Sequence, residues 1–513
     1  MNDSRHQVQA LLERARRAED QGLTAAALDA YQAAFEASGR DPALAGDLGR
    51  VALRLGLHDI AEQLLRLYLT TAPDSMEGRA YLAHALREQN RYEEAIVLLR
   101  QAIEARPEDP ALWTDVGVVR VRQGEPASAL TFLDEALRLQ PRYGRALYYR
   151  AHARADLGDH AGACPDYEAT RGATGLDAVD AVRIQLAEAL SRLGLGQLEA
   201  GWRLYDARLS PASAKPQRFE VPGEPYDFAK GTAGLRGRAL LLVAEQGLGD
   251  EVMFAGTIPD VIRALGPEGR LALAVEPRLV ALFARSFPAA EVVAHRTRLE
   301  GGAAVRTATG GATTPVDYWA PFAAPARAFR RTVADFPEAP GYLRPDPARA
   351  ALWRGWLAER PGRKVGLLWK SAKLGGDRRR QFAAFDLWAP VLRTAGVTFV
   401  NLQYGGCADE LAWARDALGV DILEPPGIDL KDELDEVAAL AAALDLTIGF
   451  SNATFNLAGA VGAPAWLIAP AHAWTMLGTD RYPWYPQARA FAAADDWSSA
   501  LQAVAAALAA LES

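Results

Sequence analysis

The chain has 513 residues, half of them hydrophobic and 23% charged, and a formal net charge of −8 at pH 7. That length exceeds one ordinary core and implies about three soluble domains, while the acidic balance excludes nucleic acid as the main partner. The two cysteines, Cys164 and Cys407, lack metal-ligand spacing, exclude a disulfide framework and read as buried thiols in a reducing compartment.

The first residues, MNDSRHQVQALLERARRAED, are polar and carry no apolar core of the signal-peptide kind. No run of eighteen apolar residues follows, which predicts a cytoplasmic protein without a spanning helix. A 34-residue period then governs the chain. Ala27, Ala61, Ala95, Ala129 and Ala163 share one repeat position, and Gly22, Gly56, Asn90, Gly124 and Gly158 stand five places earlier. Pro73, Pro107 and Pro141 close three successive units. Alanine lets paired helices approach closely, glycine or asparagine accepts a left-handed turn, and proline ends the second helix. The unit WTDVGVVRVRQGEPASALTFLDEALRLQP carries Trp113, Gly117, Gly124, Ala129, Leu133, Ala136 and Pro141 in the tetratricopeptide (TPR) pattern. Five such units in register predict an all-α solenoid whose concave groove binds a protein. A sixth helical pair near Val182–Leu209, with Gly201, Trp202 and Tyr205, slips out of register and reads as a cap, which closes a solenoid domain at 1–209.

After a linker at 210–237 the pattern turns to short apolar strands alternating with helices, predicting parallel sheets covered on both faces. Arg238–Glu245 and Leu271–Glu276 are strands of one unit, 238–340. Lys364–Trp369, Val397–Gln403, Asp445–Gly449 and Pro464–Ala469 are strands of a second, 341–513, with a helix starting at Asp386–Thr394. Two doubly wound units leave a cleft beyond the carboxyl ends of their strands, the default ligand site.

Three strand-to-helix junctions carry candidate chemistry. Gly247-Leu248-Gly249-Asp250-Glu251 brings backbone close to a ligand at a helix start, and Asp250 and Glu251 are the candidate catalytic carboxylates. Asp250 fits equally well as a residue that complements the helix dipole. Val252 occupies the third-glycine place of a dinucleotide fingerprint, which leaves Glu276 as weak support for a nicotinamide site. Ser451-Asn452-Ala453-Thr454-Phe455-Asn456 opens another helix with good N-cap types, and a capped start can also hold a diphosphate or carboxylate. Lys370, Ser371 and Lys373 lead into Arg378-Arg379-Arg380, a basic loop able to neutralise phosphate without a metal, or a solvated surface loop. Gln403, at the end of its strand, joins the donor-side candidates. No D-x-D, P-loop or G-x-S-x-G motif occurs, and only His295 and His472 lie in this half, so neither a metal nor another cofactor is expected.

The segments AEQGLGDEVMFAGTIP, KVGLLWKS, DLTIGFSNATFNLAGAVGAPAWLI and WTMLGTDRYPWYP resemble a GT-B glycosyltransferase of the heptosyltransferase-like superfamily. Joined to TPRs, the chain is similar to bacterial TPR-glycosyltransferases, including those that modify flagellin, and shares the layout of O-GlcNAc transferase. The resemblance implies two Rossmann-like units facing a cleft, the first holding the acceptor and the second a nucleotide-sugar donor. It makes Asp250 the base for the acceptor hydroxyl, and Lys370, Ser371 and Ser451–Thr454 the donor-phosphate site. The superfamily often carries D-T-x-x-x-H-L-A-G where this chain has Ser451, Asn452 and Asn456, which implies a different donor. The implied activity is metal-independent transfer of a sugar to Ser or Thr of a protein. Flagellin and a CMP-activated nonulosonic acid such as pseudaminic acid are the specific expectation. The rival readings are a catalytically silent scaffold and a glycan-modifying transferase whose TPRs recruit a partner.

Overall fold

The computed structural model describes residues 2–21, 23–308, 316–371, 382–493 and 496–511. It comprises two compact units, Met1–Leu176 and Asp177–Ser513. The first unit pairs its helices in chain order: α1 (Asn2–Asp20) with α2 (Thr24–Ala37), α3 (Pro42–Arg54) with α4 (His58–Thr71), and α5 (Met76–Glu88) with α6 (Tyr92–Ala105). Then come α7 (Pro110–Gln123) with α8 (Pro126–Leu139), and α9 (Gly144–Asp156) with α10 (His160–Ala169).

The repeat residues do what their chemistry requires. Ala27, Ala61, Ala95, Ala129 and Ala163 are each 0% exposed. A Cβ on Gly117 would lie 2.6 Å from Leu133 Cγ, so α7 and α8 touch at backbone distance there. Gly56, Asn90, Gly124 and Gly158 have φ of +72°, +61°, +90° and +82° between paired helices; Gly22 lies outside the described residues. Pro73, Pro107 and Pro141 each follow the last helical residue by two places. Asp41, Ser75 and Asp109 cap α3, α5 and α7 with their side chains.

The second unit begins with α11 (Ala178–Gly194) and α12 (Leu198–Tyr205). These helices were expected to cap the solenoid; they belong instead to the α/β unit, because their apolar faces are spent on its core. Trp202 donates Nε1–H to Arg330 O at 2.7 Å and sets its ring against Phe254 and Trp484. Gly196 and Gly478, both at φ +73°, let the α11–α12 turn meet the 477–478 loop backbone to backbone: a Cβ on Gly478 would lie 2.7 Å from Gly196 N.

The expected linker carries β1 (Gln217–Glu220) and β2 (Glu224–Pro225). After them come β3 (Ala239–Val243), α13 (Leu248–Phe254), α14 (Ile258–Leu265), β4 (Arg270–Val275), α15 (Val280–Ser286), β5 (Ala290–Glu300), β6 (Ala303–Ala308), β7 (Tyr318–Pro321) and α16 (Ala326–Phe329). Their sheet runs β1-β6-β5-β4-β3-β7-β2, parallel except where β6 returns along β5. Alternation along the strands separates two faces. Leu240, Leu242, Leu271 and Leu273 enter a core shared with the helices. Leu241, Val243, Ala272 and Ala274 are covered by Phe219, Val221 and Trp319, so strand β1, rather than a helix, lies over this second face.

The rest contains α17 (Pro347–Ala358), β8 (Arg363–Leu368), α18 (Ala389–Leu392), β9 (Val397–Asn401), α19 (Ala408–Leu418), α20 (Leu434–Ala441), β10 (Leu446–Phe450), α21 (Ala453–Ala460), β11 (Ala465–Pro470), β12 (Ala488–Ala493) and α22 (Trp497–Ala510). The expected helix at Asp386–Thr394 is a 3₁₀ turn followed by the single turn of α18. A five-stranded parallel sheet runs β12-β11-β10-β8-β9. One core takes in Leu240 and Leu242 of the first sheet with Leu368, Val400 and Leu467 around the second. Arg278 latches the halves by donating to Lys431 O at 2.7 Å, and Arg285 pairs with Asp435. Among the described residues no helix is long and apolar enough to cross a membrane, and Cys164 and Cys407 are buried and not joined in a disulfide.

Candidate functional site

The Gly-rich junction follows β3, whose carboxyl end is pinned from three sides. Glu245, 2% exposed, accepts from Arg208 at 2.9 Å and from Phe322 N at 2.9 Å. Gln246 Oε1 accepts from the Tyr205 hydroxyl at 2.7 Å. Arg306, on β6, donates to Ala244 O at 2.5 Å and lies 2.9 Å from His295 Nε2. Burial and the neighbouring guanidinium push His295 down to about 4, so at neutral pH its ring is the neutral acceptor that contact requires.

From this support α13 projects with Gly247 as its N-cap and Asp250 and Glu251 in its first turn. Consecutive helical residues point about 100° apart, and the two carboxylates part accordingly. Glu251 turns inward, 3% exposed, and accepts from Glu276 N at 2.8 Å. Burial raises its pKa to about 8. Its role is to tie α13 to the end of β4, a correction to its place among the catalytic candidates. Asp250 stays half-buried, with a carboxylate oxygen 3.4 Å from where a Gly247 Cβ would stand. Burial pushes Tyr482 up to about 12 and raises Tyr485, and the Asp250 charge adds to the rise at both.

α21 arrives opposite. Asn452 caps it, Oδ1 accepting from Phe455 N at 3.0 Å, while Ser451 is exposed and hydrogen-bonds Tyr482. Thr454 and Asn456 are 1% and 4% exposed, with side chains directed inward. Asn456 accepts from the Tyr485 hydroxyl at 2.9 Å and donates to Asn452 O at 2.9 Å. Gly249 meets this helix directly: a Cβ there would lie 3.1 Å from Asn456 Nδ2 and 3.3 Å from Ala453 N. Two junctions about two hundred residues apart thus converge at a distance that would be tight for any side chain larger than glycine's.

The third junction reaches the same place through Asn452 Nδ2, which donates to Lys370 O at 3.5 Å. Lys370 Nζ donates to Glu410. Gln403, 1% exposed, accepts at Oε1 from Trp369 N at 3.0 Å and Lys370 N at 2.9 Å, and donates from Nε2 to Tyr404 O. Its amide is spent on holding β8 and β9 in step, so it positions Lys370 rather than facing a ligand, a second correction. Ser371 is half-buried at the end of the described loop; Lys373 and Arg378 lie outside the described residues. Glu276, the support for a nicotinamide site, is occupied by Arg278 at 2.7 Å, which holds its carboxyl below the usual range. Trp484 is buried among Trp202, Phe254 and Phe336, which leaves no free face for stacking on a sugar. Among the described residues no three His, Cys, Asp or Glu are grouped to hold a metal ion.

Sequence reasoning missed Arg208 and Arg306, which stand within no motif, and gave no role to Tyr482 and Tyr485, although the segment WTMLGTDRYPWYP contains both.

A family model described as tetratricopeptide repeat matches residues 12–75, 82–141 and 117–178. Protein FlbA of Caulobacter vibrioides (strain ATCC 19089 / CIP 103742 / CB 15) is 48% identical over 475 residues, 92% of this chain and 79% of the relative. Among solved structures, the thermophilic TPR protein TTC0263 of Thermus thermophilus matches at 23% identity and a TM-score of 0.31, over 35% of this chain and 98% of its own. Pseudomonas aeruginosa pilF matches at 19% identity and a TM-score of 0.33, over 41% of this chain and 95% of its own.

Proposed function

This chain belongs to the family of the FlbA protein, and from that premise we propose that it is a GT-B glycosyltransferase whose TPR array selects a protein acceptor. The observation that carries this reading is the convergence of Gly249 with Ala453 and Asn456, tied through Asn452 to the Lys370 backbone. Backbone donors of α21, the Asp250 carboxylate and the Lys370 backbone lie around this convergence, and the Lys370 ammonium, now on Glu410, is assigned in this reading to the donor phosphate. In the proposed reaction Asp250 takes the proton from a Ser or Thr hydroxyl. That oxygen attacks the anomeric carbon of the donor sugar, and the bond from that carbon to the nucleotide phosphate oxygen breaks. Lys370 and the α21 amides stabilise the charge left on the phosphate. Flagellin and a CMP-activated nonulosonic acid, taken from the family resemblance, are the first acceptor and donor to test.

The test is intact-mass analysis of a co-expressed acceptor incubated with nucleotide sugars. A sugar mass added by the wild type and lost in Asp250→Asn, with folding and acceptor binding unchanged, supports the reading. Full activity in Asp250→Asn removes that residue from the base role, and no added mass with any donor removes the enzyme. One observation favours a second reading, a silent scaffold: Lys370 is already engaged by Glu410. Calorimetry with CMP, UDP and GDP separates the two, because a scaffold need bind none of them.

A further inference from the structure

β1 and β2 are the two edges of the seven-stranded sheet, yet only Val221–Gly223 separates them in sequence. Beside this seam lies a cavity of ≈ 570 Å³, and none of its lining residues belongs to the site described above. Its volume falls within the range of small-molecule pockets. From its chemistry we infer that this cavity binds a neutral pyranose ring, a saccharide site separate from the α13–α21 locus.

The lining holds both aromatic and polar side chains. Phe219 and Trp319 set their rings 4.9 Å apart at 34°, and Tyr226 and Phe228 line the cavity with them. An aromatic face accepts the C–H face of a sugar ring, which is apolar, and leaves the ring's hydroxyls to polar partners. The polar partners are planar groups already held in place. Arg327 donates to Asp206 at 2.8 Å and stands 3.9 Å from Asp227, whose Oδ1 also accepts from Ala229 N at 2.9 Å. Carboxylates and guanidinium groups arranged this way offer paired acceptors and donors to neighbouring hydroxyls.

Two further features exclude other ligands. The charged lining sums to zero, Asp206 and Asp227 against Arg218 and Arg327, so no net field draws a phosphate or a cation. Arg327 also fills the space between the two carboxylates that a cation would take.

The test is saturation-transfer NMR on the full chain with methyl glucoside, methyl galactoside, methyl mannoside and N-acetylglucosamine. Transfer to the ring protons of at least one sugar is expected, reduced about tenfold in Asp227→Asn, which weakens one of the paired acceptors. Trp319→Leu should abolish it, and Phe219→Leu serves as the third variant if Trp319→Leu does not fold. No transfer from any of the four sugars overturns the inference, as does transfer that survives both Asp227→Asn and Phe219→Leu. Nucleotide binding at Lys370, measured separately by calorimetry, leaves this outcome untouched, so failure here is distinct from failure of the transferase reading.

Discussion

The pair of Arg208 and Glu245 decides whether the helices after residue 176 belong to the α/β unit. Arg208 is 8% exposed and Glu245 2%. Arg208 donates to Glu245 Oε1 from Nε at 3.2 Å and Nη2 at 2.9 Å, and its guanidinium lies 4.6 Å from the centre of the Tyr205 ring. Removing one partner of a buried pair costs about 3–5 kcal/mol, because a charge is left without compensation. Arg208→Met leaves Glu245 still accepting from Phe322 N at 2.9 Å and from Gln246 Nε2 at 3.3 Å. Two surviving donors place the cost at the low end, about 3 kcal/mol. Adding Glu245→Gln removes the stranded charge while keeping an acceptor for Phe322 N, so the double variant should recover about 2 kcal/mol. Urea unfolding followed by tryptophan fluorescence is the assay, since eleven of the twelve tryptophans lie in the second unit and only Trp113 in the first. A loss below about 1 kcal/mol, or a double variant no more stable than Arg208→Met, refutes the reasoning.

Four other outcomes are expected. Gly249→Ala should cost about 1 kcal/mol, since its Cβ meets Asn456 at 3.1 Å, whereas Gly459→Ala, with Tyr485 Cδ2 at 2.3 Å, should cost about 3 kcal/mol; urea midpoints in the reverse order contradict this. Burial raises Glu251 in the folded state to about 8, so its contribution to stability is full below the unfolded value of 4.5 and is lost as pH rises to about 8. Unfolding free energies should therefore favour Glu251→Gln increasingly over wild type from pH 5 to pH 8 (about the span of that titration), and a constant difference is the contrary result. Glu410→Gln frees Lys370 of its carboxylate and should tighten nucleotide binding by a few-fold, read by calorimetry; unchanged affinity would take Lys370 out of the phosphate site. A chain of residues 177–513 should show near-ultraviolet circular dichroism and a cooperative melt, and one of residues 210–513 neither, because the shorter loses Trp202 and Arg208 from the core.

The solenoid was legible because repetition measures the same turn five times: the register of Ala27 to Ala163 fixed every helix pair before any packing was known. α12 was misassigned for a plain reason. Its apolar face announces burial, but the pattern of Leu198, Trp202 and Tyr205 is the same whichever core receives it. β5 and β6 left no strand signal, since the second half of β5 is solvent-facing, with Leu299 83% exposed. At the site, Asn452 was readable from capping chemistry and Gly249 from its place at a helix start. The division between Asp250 and Glu251 was not readable, because it rests on which side of a seven-residue helix faces the core. Arg306 was not readable either, standing some sixty residues from the loop it clamps.

The asparagines at Asn452 and Asn456 bear on where charge resides in this site. Each amide is neutral and carries both a donor and an acceptor. Asn456 uses both, accepting from Tyr485 and donating to Asn452 O, and Asn452 likewise joins Phe455 N to Lys370 O. A carboxylate in place of Asn452 would accept from Phe455 but could donate nothing to Lys370, and it would set a negative charge at the start of α21. The amides therefore hold the helix start open to an anion without bringing one of their own. The charges that the proposal brings to this place are the Asp250 carboxylate and the cation of Lys370, and Glu410 already offsets the latter. On the proposed reading, a phosphate entering here would exchange one carboxylate partner of Lys370 for another anion, which nearly conserves Coulomb energy. Discrimination would then come from the backbone donors of α21 and from the close approach at Gly249. Geometry, rather than net charge, would on that proposal set the ligand of this locus.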